Sequence, residues 1–278
     1  TAMSYSAVYA CVRIIAETIA SLPLNIYKRL PSGGKQKDTN HYLYWLLHNQ
    51  PNEDMTSFIW REVAMAHILL WGNHYSLLER DGMGKIYSIY PLLPYNMHVE
   101  MVVNPETGKK TKVYDYYSDN GIVRLQPHDV LHIAGLSFDG LVGKTPLGWY
   151  REQIGLGLAM QIYSSKFFKN GMHAGGIFTT PQSLKEETYQ RLKNELKEKY
   201  AGLGKAHGIM LLEQDLKFNQ ISINPDDAQL LESKKFQVEE IARIFRVPLH
   251  LLQNLDRSTF SNIEHQGIDF VTHTIRPW

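Results

Sequence analysis

The sequence predicts an α+β fold, and three observations on its apolar pattern lead to that prediction. Two long stretches, residues 147–170 and 225–247, repeat apolar side chains at helical spacing. Between residues 74 and 133, short segments of alternating apolar and polar residues are separated by turns that contain glycine or proline. These segments indicate mostly antiparallel strands. A helix-rich part beside a strand-rich part is typical of the α+β class.

The part of the chain before the strands is expected to be mainly helical. The expected elements are a helix at 4–22, a strand at 22–28, a short helix at 40–48 and a helix at 57–71. Ser4 or Ser6 can cap the first helix and Thr56 the last, because short polar side chains accept hydrogen bonds from the unpaired N–H groups of a first turn. Cys11 lies on the apolar face of the first helix, which predicts a buried thiol.

The strand pattern predicts two hairpins and two further strands. The expected strands are 74–79, 85–90, 97–103, 112–117, 122–125 and 130–133. The turn at 81–84 joins the first two strands, and the turn at 104–108 joins the next two. Pro91 and Pro94 interrupt the pattern between the hairpins, because proline cannot donate a ladder hydrogen bond.

Two long helices enclose a smaller mixed segment. The first helix starts at Pro146 and ends at Gly171, since proline suits the first helical position and glycine the C-terminal cap. The second is capped by Asn224 and ends before Pro248. The remaining expected elements are a strand at 176–180, a charged helix at 181–200, strands at 209–212 and 216–221, a polar loop at 253–261 and a helix from about Asn262.

Composition places limits on the function classes. The chain has 278 residues, 44% hydrophobic and 21% charged, with a formal net charge of +1. This is enough for a sizeable core, whereas tight static binding to nucleic acid usually needs a basic surplus. The single cysteine excludes an intramolecular disulfide. The sequence contains no run of about 18 apolar residues, so no membrane span is predicted. Because the chain starts at Thr1 and stops after a helical pattern, we expect both ends to be cuts in a longer protein.

The motifs that carry enzyme chemistry are incomplete. Gly143-Lys144-Thr145 suggests a phosphate-binding loop, but Phe138 stands where the first glycine of G-x-x-x-x-G-K-[ST] is required. His128 and His132 are four residues apart without the spacing of a metal motif. We therefore expect no metal, no cofactor and no catalytic residue. The histidines are expected in satisfied core positions or at subunit contacts.

Four segments resemble the portal proteins of tailed bacteriophages, in the family typified by phage HK97. The second long helix is followed by VPLHLL and a polar loop with LDRSTFSNIEHQ. The other three segments are SYSAVYACVRIIAETIASLPLNIYKR, MTSFIWREVAMAHILLWGNHYSLLERDGMGKIYSIYPLLP and VLHIAGLSFDGLVGKTPLGWYREQIGLGLAMQIYSSKFFKNG. Together they cover nearly the whole chain in the family's order. No single motif among them is catalytic.

The resemblance implies a portal-protein fold with an α/β wing, a two-helix stem and a small α/β clip. The implied domains are the wing at 1–146, the first stem helix at 147–171, the clip at 172–224, the second stem helix at 225–247, and the tunnel loop with the start of the following wing helix at 248–278. The family normally continues beyond this point with more wing and often a crown.

The resemblance also implies a structural function without enzymatic activity. The chain would form a dodecameric ring at one capsid vertex of a phage or prophage virion, after assembly in the host cytoplasm. Double-stranded DNA would pass through the ring without sequence preference during packaging and ejection. The implied partners are terminase, which hydrolyses ATP, the major capsid or scaffold protein, and head-completion or adaptor proteins.

Three groups of candidate site residues follow from the resemblance. The tunnel loop would present Gln253, Asn254, Arg257, Ser258, Thr259 and Ser261 to DNA. The stem would present Lys234, Lys235, Arg243 and Arg246, either to DNA phosphates or to intersubunit ion pairs with Glu232, Glu239 and Glu240. The clip would bind partner proteins through Lys185, Lys193, Lys197 and Lys199.

Two other functions stay open at this point. One is a nucleotide-dependent hydrolase that uses the Gly143-Lys144-Thr145 loop. The other is a monomeric adaptor module, which would form no ring.

Overall fold

The computed structural model describes residues 2–103, 108–169, 176–179, 186–191, 194, 217–220, 226–253 and 260–278. The chain divides into two compact units. The first comprises Thr1–Ile154 with Glu239–Trp278, and the second comprises Gly155–Val238. Helices and antiparallel sheets both occur, which confirms the α+β prediction.

Helices α1 (Ser6–Ser21), α2 (Tyr42–His48) and α3 (Ser57–Trp71) belong to the first unit. Helix α1 buries residues three or four positions apart, and Cys11 is fully buried as expected. Thr56 caps α3 by accepting from the Ile59 N–H at 3.4 Å. The expected serine cap of α1 was wrong, because the buried Tyr5 occupies the N-cap position and its side chain makes no capping bond.

The first strand is shorter than predicted. Strand β1 (Tyr27–Arg29) pairs with β2 (Lys35–Lys37), whereas residues 22–26 are not in a strand. The Leu22 carbonyl accepts from Arg61 and the Leu24 carbonyl from His48, the latter at 3.2 Å. These carbonyl groups therefore bond to side chains instead of to a neighbouring strand.

Two three-stranded antiparallel sheets complete the first unit. Strands β3 (Asn73–Arg80), β4 (Ile86–Leu92) and β8 (Val130–Ala134) form one sheet in the order β4-β3-β8. Strands β5 (Met97–Val103), β6 (Lys110–Ser118) and β7 (Gly121–Leu125) form the other in chain order. Both predicted hairpins are confirmed. Pro91 does not break the pattern but lies within β4, because β4 is an edge strand and tolerates a missing donor.

The first long helix is interrupted, contrary to the prediction of one helix at 147–171. Helix α4 (Pro146–Trp149) ends at Tyr150, which has φ −106° and ψ 21°, and α5 (Arg151–Lys169) then begins. Gly148 and two bulky aromatic residues disfavour a continuous helix here. Thr145 caps α4 by accepting from the Gly148 N–H at 3.3 Å.

The second long helix follows the sequence prediction to within two residues at each end. Helix α6 (Asp226–Phe245) stops where Arg246 turns to φ 55°, two residues before Pro248. Between the long helices, β9 (Gly176–Thr179) pairs antiparallel with β10 (Lys217–Gln220), and residues 186–191 are helical. The expected strand at 209–212 lies outside the described residues. Helix α7 (Phe260–Asp269) follows near the predicted position.

In the described part of the chain, no helix combines the length and the apolarity needed to cross a membrane.

A buried polar network lies between α3 and β3. The Trp60 indole donates to Ser76 Oγ at 3.0 Å, and His74 Nε2 lies 2.8 Å from the same hydroxyl. His74 Nδ1 lies 3.3 Å from His67 Nδ1. Burial lowers the pKa of His67 to about 4, and burial together with the neighbouring His67 and His132 lowers the pKa of His74 to about 3. Both imidazoles are therefore neutral at physiological pH.

This network makes the stability of the protein sensitive to acid. Because the folded-state pKa of each histidine lies below its ordinary value of 6.5, the unfolded chain takes up protons first as the pH falls. Between about pH 7.5 and about pH 5, we expect the free energy of unfolding to fall by about 2 kcal/mol for each of His67 and His74. Urea denaturation at a series of pH values measures this.

The matched variants are His67→Gln, which should remove the His67 share of this pH dependence and keep the share of His74, and His265→Gln, which is the control for the loss of a histidine at an exposed position. An unfolding free energy that is constant over this pH range would contradict the assignment.

Candidate functional site

The predicted stem cations lie along α6. Lys234 is half-buried and Lys235 is exposed. Arg243 forms an ion pair with Glu240 one turn earlier on the helix; the side chains are 67% and 24% exposed. Glu240 was one of the expected intersubunit partners, but here the pair lies within one chain. An exposed pair at this spacing contributes only about 0.3–0.5 kcal/mol and leaves the guanidinium accessible.

Arg246 lies just beyond the end of α6, in the left-handed region of backbone conformation. The Val247 N–H returns to the Ala242 carbonyl at 2.9 Å, and Thr274 Oγ1 donates to the Arg246 carbonyl at 2.7 Å. These bonds fix a conformation that is unfavourable for a residue other than glycine. The Arg246 side chain is exposed and has no ion pair within the described ranges.

The candidate tunnel loop is described only at its base. Gln253 is exposed with φ 61°, and its N–H donates to the His250 carbonyl at 3.1 Å. Asn254, Arg257, Ser258 and Thr259 lie outside the described residues, as does the side chain of Ser261. His250 Nδ1 lies 2.9 Å from Gln266 Oε1, so a hydrogen bond joins the two flanks of the segment. Sequence reasoning did not identify this pair, because nothing local links positions 16 residues apart.

The candidate clip lysines Lys185, Lys193, Lys197 and Lys199 lie outside the described residues. In the neighbouring helical residues 186–191, Gln190 donates to Glu186 Oε1 at 2.7 Å, and both residues are exposed. This bond along one helix face is typical of a solvated surface.

The Gly143-Lys144-Thr145 loop is built into the fold by its own backbone. The Gly143 N–H donates to Asn73 Oδ1 at 2.6 Å, and Asn73 Nδ2 donates back to the Gly143 carbonyl at 2.8 Å. The Lys144 N–H donates to the Leu136 carbonyl at 2.7 Å, and Thr145 Oγ1 donates to the Leu70 carbonyl at 2.8 Å. The donors that a phosphate-binding loop would offer are therefore already used.

Gly72 and Gly143 allow the end of α3 and the loop before α4 to approach each other closely. A Cβ atom on Gly143 would overlap the Gly72 carbonyl oxygen, and one on Gly72 would overlap the Lys144 carbonyl. Gly72 also has φ 79°, the left-handed value of a helix C-terminal cap. The glycine at 143 is thus explained by close packing without any ligand.

The histidines do not assemble a metal site in the part of the structure that is described. His132 Nε2 lies 3.0 Å from Asn73 Oδ1, and its ring stacks on Tyr75 at 4.4 Å. Burial, with a smaller contribution from Lys112, lowers the pKa of His132 to about 4. His128 is exposed beside Asp129. The expectation of satisfied core histidines is confirmed for His67, His74 and His132.

A groove in the first unit was not predicted from the sequence. It has a volume of about 790 Å³ and combines exposed aromatic side chains with basic ones. We call it the cationic groove, and it is lined by Glu240 and aliphatic residues together with a basic and aromatic set that includes Phe138, Lys144, Trp149, Arg243, Arg246 and Trp278. Phe138 and Trp149 meet edge to face at 5.8 Å and are 68% and 63% exposed. Its members come from segments that are distant in the chain, so no local sequence signal could reveal it.

The fold and the sequence together define the class of this chain. The sequence profile of the family described as Phage portal protein matches residues 6–278, and the chain belongs to this family. The resemblance inferred from the four segments and the portal-protein fold are confirmed.

The individual relatives carry the same description. The chain is 36% identical over 287 residues to the "Probable portal protein" of Streptomyces phage phiC31, covering 100% of this chain and 62% of that protein. It is 32% identical over 280 residues to the "Portal protein" of Enterobacteria phage HK97, covering 99% and 64%. The chain therefore spans less than two thirds of the length of these relatives.

A solved structure shares the fold. It is titled "Neck of native GTA particle computed with C12 symmetry" and matches with a TM-score of 0.70 and 23% identity, covering 99% of this chain and 74% of that one.

Replacing Gly143 by alanine is expected to destabilise the protein by about 3 kcal/mol or more, because the new Cβ forces the loop away from Gly72 and breaks the Asn73 hydrogen bonds. Gly82→Ala is the matched control, since its Cβ meets open space, and it should change the stability by less than about 0.5 kcal/mol. Urea denaturation of both variants makes the comparison. Equal stabilities would show that the Gly143 contact is dispensable.

Proposed function

We propose that this chain is the subunit of a phage portal, a ring through which double-stranded DNA enters and leaves the capsid. The observation that carries the proposal is the family match over residues 6–278, together with two relatives described as portal proteins. The solved structure that shares the fold comes from a neck computed with C12 symmetry, and this twelvefold symmetry supports a dodecameric ring. Such a ring closes when each subunit makes the same head-to-tail contact with the next.

The proposal divides the chain by role. Residues 1–146 form the wing, 147–171 and 225–247 the stem, 172–224 the clip, and 248–278 the tunnel loop with the start of a further wing helix. The stem lines the channel, the tunnel loops narrow it, and the clip binds terminase and later the head-completion or adaptor proteins. The wing contacts the capsid or scaffold protein. The protein acts at the portal vertex of the virion after assembly in the host cytoplasm.

A duplex that has to move through the channel requires weak contacts with side chains of both charge signs. Each phosphate that a protein neutralises adds salt-dependent affinity and holds the duplex in place. Helix α6 carries Lys235 beside acidic neighbours, and Arg243 is already paired with Glu240. The His250–Gln266 hydrogen bond joins the two flanks of the tunnel loop. The polar side chains of this loop can contact a passing DNA backbone without gripping it.

The proposed role needs no chemistry within this chain. The engaged donors around Gly143 and the close packing against Gly72 argue against a nucleotide-dependent hydrolase. ATP hydrolysis would belong to the terminase partner.

Negative-stain electron microscopy of the full-length protein, with native mass spectrometry on the same sample, tests the proposal. We expect rings with a central hole wide enough for duplex DNA and a mass of twelve subunits. A protein that stays monomeric and is not incorporated into capsids would favour the adaptor module instead.

The stem assignment has a separate test in assembled rings. Replacing Lys234 and Lys235 together by glutamine should weaken non-specific binding to duplex DNA. The slope of log K against log salt should become shallower, by about 0.9 for each phosphate contact that is lost over the whole ring. Fluorescence anisotropy at several salt concentrations measures this. Lys28→Gln, at an exposed position of β1, is the control. An unchanged slope would show that Lys234 and Lys235 do not contact DNA phosphates in the channel.

A further inference from the structure

Two surfaces of opposite charge lie at opposite ends of β3 in the first unit. The cationic groove lies at the start of the strand, where Gly72 and Gly135 are among its lining residues. The second surface lies near the end of the strand, around Glu79. Six residues of extended chain separate Asn73 from Glu79, which is about 20 Å. A single copy therefore cannot bring the two surfaces together.

The second surface is acidic and aromatic. We call it the acidic surface and define it by Glu53, Asp54, Glu79, Tyr87 and Tyr90. Glu53 and Asp54 are exposed, and Tyr87 is 57% exposed. The Glu79 carboxylate accepts from Ser88 Oγ and hydrogen-bonds to Tyr87. None of the three carboxylates forms an ion pair with a cation in the described residues.

The pKa shifts of two tyrosines indicate that the three carboxylates lie close to the same pair of rings. The pKa of Tyr87 is raised, chiefly by the negative charge of Glu79. The pKa of Tyr90 is raised by burial first, and then by the charges of Asp54, Glu53 and Glu79. The acidic surface thus concentrates negative charge around two aromatic rings.

The cationic groove has the complementary character. Lys144 is only loosely paired with Asp139 at 3.7 Å, and Arg246 has no ion pair in the described part of the chain. Arg243 is paired with Glu240, which also lines the groove. Phe138 and Trp149 expose large aromatic surfaces beside these cations. Tryptophan, tyrosine and arginine are the residues that most often carry the binding energy of protein interfaces.

We propose that the acidic surface of one copy docks into the cationic groove of the next copy. The inference rests on the proposed portal ring and names the contact that would close it. Its occupant is a second copy of this chain, because charge and aromatic character match between two surfaces of one unit. Each copy uses both surfaces once, which makes the contact heterologous, and such contacts generate rings when the rotation closes. Arg246 is thereby a subunit contact rather than a DNA contact.

The test uses two variants that each disable one surface. Arg246→Glu places a carboxylate in the groove, and Glu53→Gln with Asp54→Asn removes two of the three carboxylates of the acidic surface. Either variant alone should associate at least about tenfold more weakly than the wild type, since the first brings like charges together and the second removes the attraction. An equimolar mixture should form a dimer with one copy of each variant and nothing larger, because only one intact groove and one intact acidic surface remain. Native mass spectrometry distinguishes these species.

Control variants that change the net charge by the same amount, but at other exposed positions, distinguish this contact from a general effect of charge. Arg29→Glu in β1 and Asp119→Arg before β7 are exposed and should assemble as the wild type does. Thermal melting of every variant shows that it is folded.

The outcomes are distinguishable from those of the ring proposal. If the wild type forms rings and Arg246→Glu forms them equally well, this inference is overturned while the portal function stands. A mixture that gives no mixed dimer also overturns it. If Arg246→Glu instead loses affinity for duplex DNA and keeps its assembly, the groove is a nucleic-acid site and the proposed contact is wrong. A mixed dimer without wild-type rings supports the contact and counts against the portal ring.

Discussion

The side-chain amide of Asn73 holds the first unit together at the point where its elements meet. Its oxygen accepts from the Gly143 N–H and lies 3.0 Å from His132 Nε2, while its nitrogen donates to the Gly143 carbonyl. One buried side chain thus links β3, β8 and the loop before α4. An unpaired buried amide would cost about 1–3 kcal/mol, so these partners have to be in place together. Gly143 is required because only glycine lets the loop approach Gly72.

The hydrogen bonds of Asn73 also position the cationic groove that we propose for subunit contact. The loop fixed by Asn73 carries Phe138, and the cap at Thr145 fixes the start of α4 and therefore Trp149. The exposed aromatic pair is thus presented by a rigid support rather than by a freely moving loop. A rigid support lowers the entropic cost of binding, which favours a repeated contact in an assembly of identical subunits.

Sequence reasoning predicted most elements because their signals are local. Thr56 marks the start of α3, the 81–84 turn marks a hairpin, and Pro248 lies two residues beyond the turn that ends α6. The short β1 was missed, because it depends on contacts such as Arg61 with Leu22, 39 residues apart. The interruption at Tyr150 was missed although its signal, Gly148 beside bulky aromatic residues, is local. The cationic groove was missed because its members come from segments that are distant in the chain. The clip lysines and most tunnel-loop residues stay predictions, since they lie outside the described residues.

The hydrogen bond between His250 and Gln266 has a consequence for the length of the chain between them. Once two flanking residues are joined, the entropic cost of the enclosed segment depends only logarithmically on its length, at about 0.6 kcal/mol for each doubling. A change of chain length between the two partners therefore alters the stability of the first unit little, as long as the hydrogen bond between His250 and Gln266 is kept.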